Sequence, residues 1–283
     1  MTECDGLGDK HMKISVIIPV YKNKELLKKS FENNYEFLKG CEIIVVNDFP
    51  EESIEDVFEK YSDVKLVVNE KNVGFARTVN RGAKEASGEL LFLLNSDVFL
   101  KDDSYKKAVK NFEENEKLFA VSFAQIEEDG QTVGKNNVFF KNGFIVHEKA
   151  GDLSYGSTGW AEGGTCVIRR AYFEKLGGFD SAYSPFYWED VDLSLRAKRK
   201  GWEVLFDPEI LVEHHHASTI GKYYENNFRE IISYRNQFLC TWKNASGVQK
   251  ISHALNLPLI LVKSALTGNW QLMNGFFRAI LAT

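Results

Sequence analysis

"GFARTVNRGAKEASGELLFLLNSDV" (residues 74–98) is the stretch on which the fold turns. Residues 74–87 read as a helix, and residues 89–97 as a short, strongly apolar strand that stops at the polar cluster Asn95-Ser96-Asp97. Two runs of the same kind come earlier, "ISVIIPV" (14–20) and "EIIVVND" (42–48), rich in β-branched residues and ending in polar or turn residues. Helical patterns fill the intervals at 24–38 and 53–61, and a shorter strand, "VKLVVN" (64–69), is inserted. Strand and helix alternating in this way predict an α/β fold, a doubly wound and mainly parallel sheet flanked by helices, with right-handed crossovers. The 89–97 strand is the most apolar and is expected at the centre. Ligands of such sheets sit at the carboxyl ends of the strands, where these runs place their polar residues.

After Asp97 the rhythm changes. A helix over 102–115 and a strand over 118–126 precede a polar stretch with several glycines (129–160), which predicts a hairpin or a loop over a site. Strand, short helix and glycine turn follow over 163–180, then a helix over 189–200, a strand over 202–208 and the run "ILVEHHHAST" (210–219). From residue 221 the chain reads as helical.

With 283 residues, 44% of them hydrophobic, the chain is long and apolar enough to bury one large core. A net charge of −5 excludes a nucleic-acid binder that works through a basic surface, although a nucleotide can still bind as a small molecule. Cys4, Cys41, Cys166 and Cys240 show no CxxC spacing, so neither a zinc site nor a disulfide framework is indicated, and a reducing, cytoplasmic setting is expected. Residues 1–12 are polar, lack the apolar core of a secretory signal and read as a leader, with Met12 as the natural start. The longest apolar run, "LNLPLILV" (255–262), contains Asn256 and Pro258 and ends at Lys263, well short of the roughly 20 residues that span a bilayer.

Several positions carry candidate chemistry. Asp48 closes a buried strand, where a carboxylate is costly without a partner; it reads either as a cap for the next turn or as an acceptor for the imide N–H of a pyrimidine base. Arg77 and Asn80, three apart on one helix face near its start, read as a solvated pair or as a phosphate contact at a helix N-terminus. Asn95, Ser96 and Asp97 offer hard oxygen donors of the kind that bind Mg²⁺ or Mn²⁺ together with substrate phosphates. His214, His215 and His216 cannot all face one site, because neighbours on a strand point to opposite faces; a single imidazole beside a carboxylate favours Mn²⁺ over Mg²⁺.

In "FYWEDVDLSLR" (186–196), three acids open a helix. First-turn acids gain about 0.3–1 kcal/mol from the helix dipole, and Asp192 with Arg196 makes an i,i+4 pair. Glu189 and Asp190 need a further reason, since they follow Phe186, Tyr187 and Trp188, and a carboxylate against an aromatic wall has its pKa raised toward that of a useful base.

The ordered set "SVIIPVY" (15–21), "IIVVND" (43–48), "NVGFARTVNRGAKEASGELLFLLNSDV" (72–98), "GGTCVIRRAYFEKLGGFD" (163–180), "WEDVDLSLRAKRKGW" (188–202) and "HHHAST" (214–219) resembles the inverting, family-two glycosyltransferases of the GT-A fold. The likeness runs over residues 13–240 and is nearest to the bacterial branch of rhamnosyl- and galactofuranosyl-transferase-like enzymes. It implies a catalytic domain over 13–220, divided into a nucleotide-binding half (13–98) and an acceptor-binding half (99–220), and a helical C-terminal extension over 221–283. It further implies that Pro19, Tyr21 and Asp48 surround the base and ribose of a UDP- or dTDP-sugar donor, with Arg77 and Asn80 nearer the ribose and diphosphate. Asn95-Ser96-Asp97 would stand in the place of the DxD-type motif, with Asp97 binding Mn²⁺ or Mg²⁺ and Asn95 removing one negative charge. His214, four residues before Ser218, matches the metal-ligand histidine, and Asp190 matches the general base. Trp160, Trp188 and Glu189 would border the acceptor, a glycan or lipid-linked saccharide, in bacterial cell-surface polysaccharide synthesis. Lys22 departs from the pattern, in which an Asn often follows the Tyr; Asn23 is one position on.

Two other functions share parts of this pattern. A nucleotidyltransferase that makes sugar nucleotides needs a glycine-rich loop after the first strand, whereas "PVYKNKELL" (19–27) has no glycine. A non-catalytic nucleotide- or glycan-binding module would keep the pocket without turnover. The end of the chain, "LPLILVKSALTGNWQLMNGFFRAILAT" (257–283), predicts amphipathic helices that rest on the inner face of the cell membrane, pair with a second copy or pack on the catalytic domain.

Overall fold

The computed structural model describes residues 12–215 and 220–282. Residues 1–11, within the expected leader, lie outside the described residues, and so do His216 and Ser218, on which the histidine spacing rests.

Three strands, β1 (Ile14–Val20), with α1 (Lys24–Leu38) after it, β2 (Glu42–Asn47), followed by α2 (Glu55–Phe58), and β3 (Val64–Val68), run parallel. Then α3 (Phe75–Glu85) leads into β4 (Leu90–Leu94), which pairs parallel with β1. The helices form where apolar residues recur at helical spacing. Leu27, Phe31 and Leu38 of α1 are buried, and the small buried Ala76 and Ala83 let α3 lie close to the sheet. Every residue of β4 is buried, each large side chain contributing about 1.5–3 kcal/mol relative to exposure.

The second half continues with β5 (Val98–Leu100), α4 (Lys107–Glu114), β6 (Leu118–Ile126), the short β7 (Thr132–Val133), the pair β8 (Asn136–Lys141) and β9 (Phe144–Lys149), and β10 (Gly156–Ser157). It ends the sheet with β11 (Thr165–Arg169), α5 (Arg170–Lys175), α6 (Glu189–Arg199) and β12 (Glu203–His214). The strand order is β10-β12-β6-β11-β4-β1-β2-β3, with β11 antiparallel to both of its neighbours. The sheet is therefore mainly parallel, with β4 inside it.

Gly164 makes the β4–β11 junction possible. A Cβ there would lie 2.2 Å from the Asn95 amide, so only glycine lets the chain pass close enough for its carbonyl to accept from Asn95 N–H at 2.9 Å.

Some boundaries differ from expectation. The helix over 53–61 shortens to α2, and the one over 102–115 begins as a 3₁₀ turn at Ser104–Lys106. The strand at 202–208 and the run after it form one strand, β12, which bulges between Asp207 and Leu211. The bulge lets β12 leave β6's earlier register and pair its end with β5, setting His214 opposite Val98. The glycine-punctuated stretch forms the β8–β9 hairpin, apart from the main sheet.

The chain then forms α7 (Ile220–Tyr223), α8 (Asn226–Asn244), α9 (Gly247–Thr267) and α10 (Trp270–Leu281). Phe238 and Leu239 of α8, Leu257 and Ile260 of α9, and Leu272 and Phe276 of α10 join Phe144, Trp160 and Trp188 in one hydrophobic cluster. No helix among the described residues is long and apolar enough to cross a membrane.

Candidate active site

The carboxyl ends of β1, β2 and β4 open onto a cavity of about 640 Å³. Pro19, Tyr21, Asp48, Asn95, Ser96 and Asp97 line one end of it, and Trp160, Trp188, Glu189 and Asp190 line the other, with His214 also in the wall. Two residues expected near a donor are elsewhere. Arg77 is exposed and outside the lining, while Asn80 bonds the backbone of Phe179 in both directions, accepting from its N–H at 2.9 Å and donating to its carbonyl at 2.8 Å. One helical turn explains the difference: Thr78 on α3 faces the cavity, so Arg77 points to solvent and Asn80 to the 178–179 loop.

At the Asp48 end the carboxylate closes a loop as well as lining the cavity. Its Oδ1 accepts from Asn69 Nδ2 at 2.7 Å and from Val73 N–H at 2.9 Å, and its Oδ2 accepts from Gly74 N–H at 2.9 Å. Burial outweighs these bonds and raises its pKa. Beside it Tyr21 stacks on Tyr224 with ring centres 6.0 Å apart, and the Lys22 ammonium lies over Tyr21, Phe49 and Tyr223 at 4.8–5.1 Å.

In the middle, His214 Nε2 is 3.3 Å from Asp97 Oδ1. The imidazole is oriented from behind. Gln125 donates its amide N–H to Glu162, which leaves Gln125 Oε1 as the acceptor 2.6 Å from His214 Nδ1. That assignment puts the proton on Nδ1 and turns Nε2 toward Asp97, as a metal-ligating histidine is held by the partner of its other nitrogen. Among the described residues no group of three or more His, Cys, Asp or Glu gathers to hold a metal. One carboxylate and one imidazole fit a divalent cation whose other ligands are phosphate oxygens and water, as is usual for cations that bind with a nucleotide.

At the far end the two adjacent acids differ. Asp190 Oδ1 accepts from Val191 N–H at 2.8 Å and its Oδ2 accepts from Gly163 N–H at 3.3 Å. Burial pushes its pKa up to about 6, and these backbone donors oppose the rise. Glu189 is buried, and its Oε2 has no hydrogen-bond partner among the described residues. Burial first and the Asp190 charge second push its pKa well above the usual carboxylate range. Both carboxyls are thus raised by burial, and Asp190, at about 6, is mainly ionised above neutral pH. Asp192 faces away, held by Arg196 Nε at 2.7 Å, Asn244 Nδ2 at 2.7 Å and Tyr183 Oη at 3.1 Å, as the i,i+4 spacing predicts for a helix-supporting acid.

Residues 15–177 match the family model described as "Glycosyl transferase family 2". The chain belongs to that family. This glycosyltransferase is 27% identical over 73% of its length to the O-antigen biosynthesis protein RfbC of Myxococcus xanthus, of which it spans 18%. It is 24% identical over 76% of its length to the poly-beta-1,6-N-acetyl-D-glucosamine synthase of Staphylococcus epidermidis, of which it spans 53%. The chain thus covers about half or less of these relatives. A mannosyltransferase from Pyrobaculum calidifontis, solved with GDP-Man and Mn²⁺, superposes with a TM-score of 0.61 over 96% of this chain and 88% of its own, at 15% identity. The shared architecture is the GT-A fold.

Several cavity-lining or supporting residues of the glycosyltransferase are not evident from sequence motifs. Gln125 and Glu162 steer His214, and a lone glutamine near the end of the apolar run "LFAVSFAQI" (118–126) was the available signal. His147 on β9 meets Trp160 at 4.9 Å and Trp188 at 4.7 Å between ring centres, and burial lowers its pKa although the Glu162 charge opposes this. Nothing local marked it, because the β8–β9 hairpin reaches the cavity only through tertiary packing.

Proposed function

We propose that the chain transfers a sugar, with inversion at the anomeric carbon, from a UDP- or dTDP-linked donor to a hydroxyl of a glycan or lipid-linked saccharide in cell-surface polysaccharide synthesis. The observation that carries this reading is the setting of Asp190: its carboxyl, raised by burial to about 6 and held by the Val191 and Gly163 N–H groups, shares one cavity with Asp97 and His214. A base whose pKa lies near the working pH is both ionised and basic enough to accept a hydroxyl proton.

In the proposed reaction an Asp190 oxygen takes the acceptor's O–H proton as the acceptor oxygen forms its bond to the anomeric carbon. The bond from that carbon to the diphosphate oxygen breaks on the opposite side, and the electron pair leaves with the nucleoside diphosphate. Trp160 and Trp188 offer flat apolar faces to the acceptor sugar, and Tyr21 and Asp48 offer a face and an acceptor to the donor's base. Asp97 and His214 would hold Mn²⁺ or Mg²⁺, which when bound neutralises charge on the departing diphosphate. The superposed mannosyltransferase was solved with Mn²⁺ and a nucleotide sugar, which supports a metal and a donor of that class here.

Asp190→Asn tests the reading. Transfer, measured as release of nucleoside diphosphate with acceptor supplied, is expected to fall about 10²–10⁴-fold while nucleotide binding stays within twofold, about the scatter of such assays. A fully active Asn variant removes Asp190 from the mechanism. Wild-type protein that binds nucleotide and never releases diphosphate is a binding module.

A further inference from the structure

The C-terminal helices turn one apolar face into the core and another to solvent. On α9, Leu257 and Ile260 pack inward, whereas Val248, Ile251, Leu255, Leu259, Val262 and Leu266 are 58–83% exposed. At 3.6 residues per turn these six side chains fall within an arc of roughly 80°, which the exposed Ala254, Pro258 and Ala265 widen to about 140°. Lys250 and Lys263, both exposed, then lie about 40° beyond its two edges. Trp270, where α10 begins, and Phe277 further along it are also exposed.

The charge of this unit is opposite to that of the chain. Between residues 246 and 282 the formal charges are Lys250, Lys263 and Arg278, with no Asp or Glu, while the whole chain carries −5. An apolar arc bordered by lysines whose stems can lie along it, with an exposed tryptophan at the adjoining turn, suits the water–hydrocarbon boundary of a lipid leaflet. No described helix is built to cross the bilayer, so α9 would lie in its plane. A second copy fits less well, because a self-complementary contact would bring the lysine edges together with no acid on the unit to meet them.

We propose that the exposed face of α9 and α10 docks on a bilayer containing anionic lipid. This does not rest on the transfer reaction. Since the inner face of the same helices shares a hydrophobic cluster with Trp160 and Trp188, docking ties that wall of the cavity to the lipid surface.

Vesicle flotation of the full chain tests it, using phosphatidylcholine alone and phosphatidylcholine mixed equally with phosphatidylglycerol. Binding to the mixed vesicles is expected to be about tenfold tighter or more, and to weaken as salt rises. Leu255→Glu with Leu259→Glu and Leu266→Glu is expected to abolish binding at an unchanged melting temperature, since all three side chains are already in water. Lys250→Glu with Lys263→Glu, a milder change, is expected to remove the preference for the anionic vesicles. Equal binding to both vesicle types, or retention of binding by the folded triple variant, overturns the proposal. So does a dimer, seen by ultracentrifugation and lost in the triple variant, in a protein that ignores vesicles: the face then belongs to a second copy.

Discussion

At the Asp48 end of the cavity the polar groups come from residues that finish strands: Pro19 near the end of β1, Asp48 after β2, and Asn95 to Asp97 after β4. At the Asp190 end they come from the first turn of α6, which holds Glu189 and Asp190, from the loop before β11 and from β9 of the separate hairpin, which brings His147. Strand ends are placed by the sheet's register, which the buried pattern of each strand sets. The turn before α6 is placed by an element distant in the chain, as where Asn236 of α8 donates to the carbonyls of Tyr183, Phe186 and Tyr187. A sheet edge can thus be located from local patterns, whereas the distant partners that hold the other wall cannot. Tyr187 and Trp188 hold φ of 75° and 74°, a left-handed arrangement that side-chain-bearing residues adopt only where their surroundings impose it.

The sharpest test of the Asp190 end separates acids on the same helix. Asp192→Ala is expected to lower the unfolding free energy by about 3 kcal/mol, because the Arg196 ion pair loses its buried partner. Asp190→Asn should change it by less than about 1 kcal/mol, since an amide oxygen can still accept from the backbone. Denaturant unfolding of both variants measures the difference, and equal losses would erase the division between a supporting and a reactive acid.

For the Asp97 end, Asp97→Ala is expected to weaken metal-dependent donor binding about a hundredfold by removing the proposed carboxylate ligand, while metal-free nucleotide binding changes little. Calorimetric titration with and without Mn²⁺ reads both; unchanged metal dependence counts against the Asp97–His214 pair.

The two ends also separate by pH. Asp190 must be ionised to accept a proton, and its pKa is raised, so its active form is lost as pH falls through about 6, earlier than for an ordinary aspartate. The rate at saturating donor should be about tenfold lower at pH 5 than at pH 7.5. A flat profile would remove the raised acid from the rate-limiting step. The smallest effect is expected at Arg77, exposed and outside the cavity: Arg77→Ala should shift donor affinity by no more than about 0.5 kcal/mol. A larger shift would place it against the ligand after all.

Residue types and spacing located most of the sheet and most of the cavity. β1 and β6 fall on their expected boundaries, and β4 takes the interior place its composition asks for. Asp48, Asn95, Ser96 and Asp97 were found because each follows an apolar strand. Arg77 and Asn80 lie outside the cavity lining because a helix presents each position in a different direction, and only packing shows that Thr78 faces the cavity. His147, Gln125 and Glu162 stayed hidden because the distance that matters is spatial: Gln125 lies 89 positions from His214 yet fixes its ring.

The sequence alone determined the alternation of elements, the family and the strand-end chemistry, since each is written in residues close together in the chain. The three-dimensional packing decided how the two adjacent acids of α6 differ. Glu189 and Asp190 are neighbours with the same charge, and they differ because one carboxylate is buried with an oxygen unbonded while the other accepts two backbone N–H groups supplied by the fold.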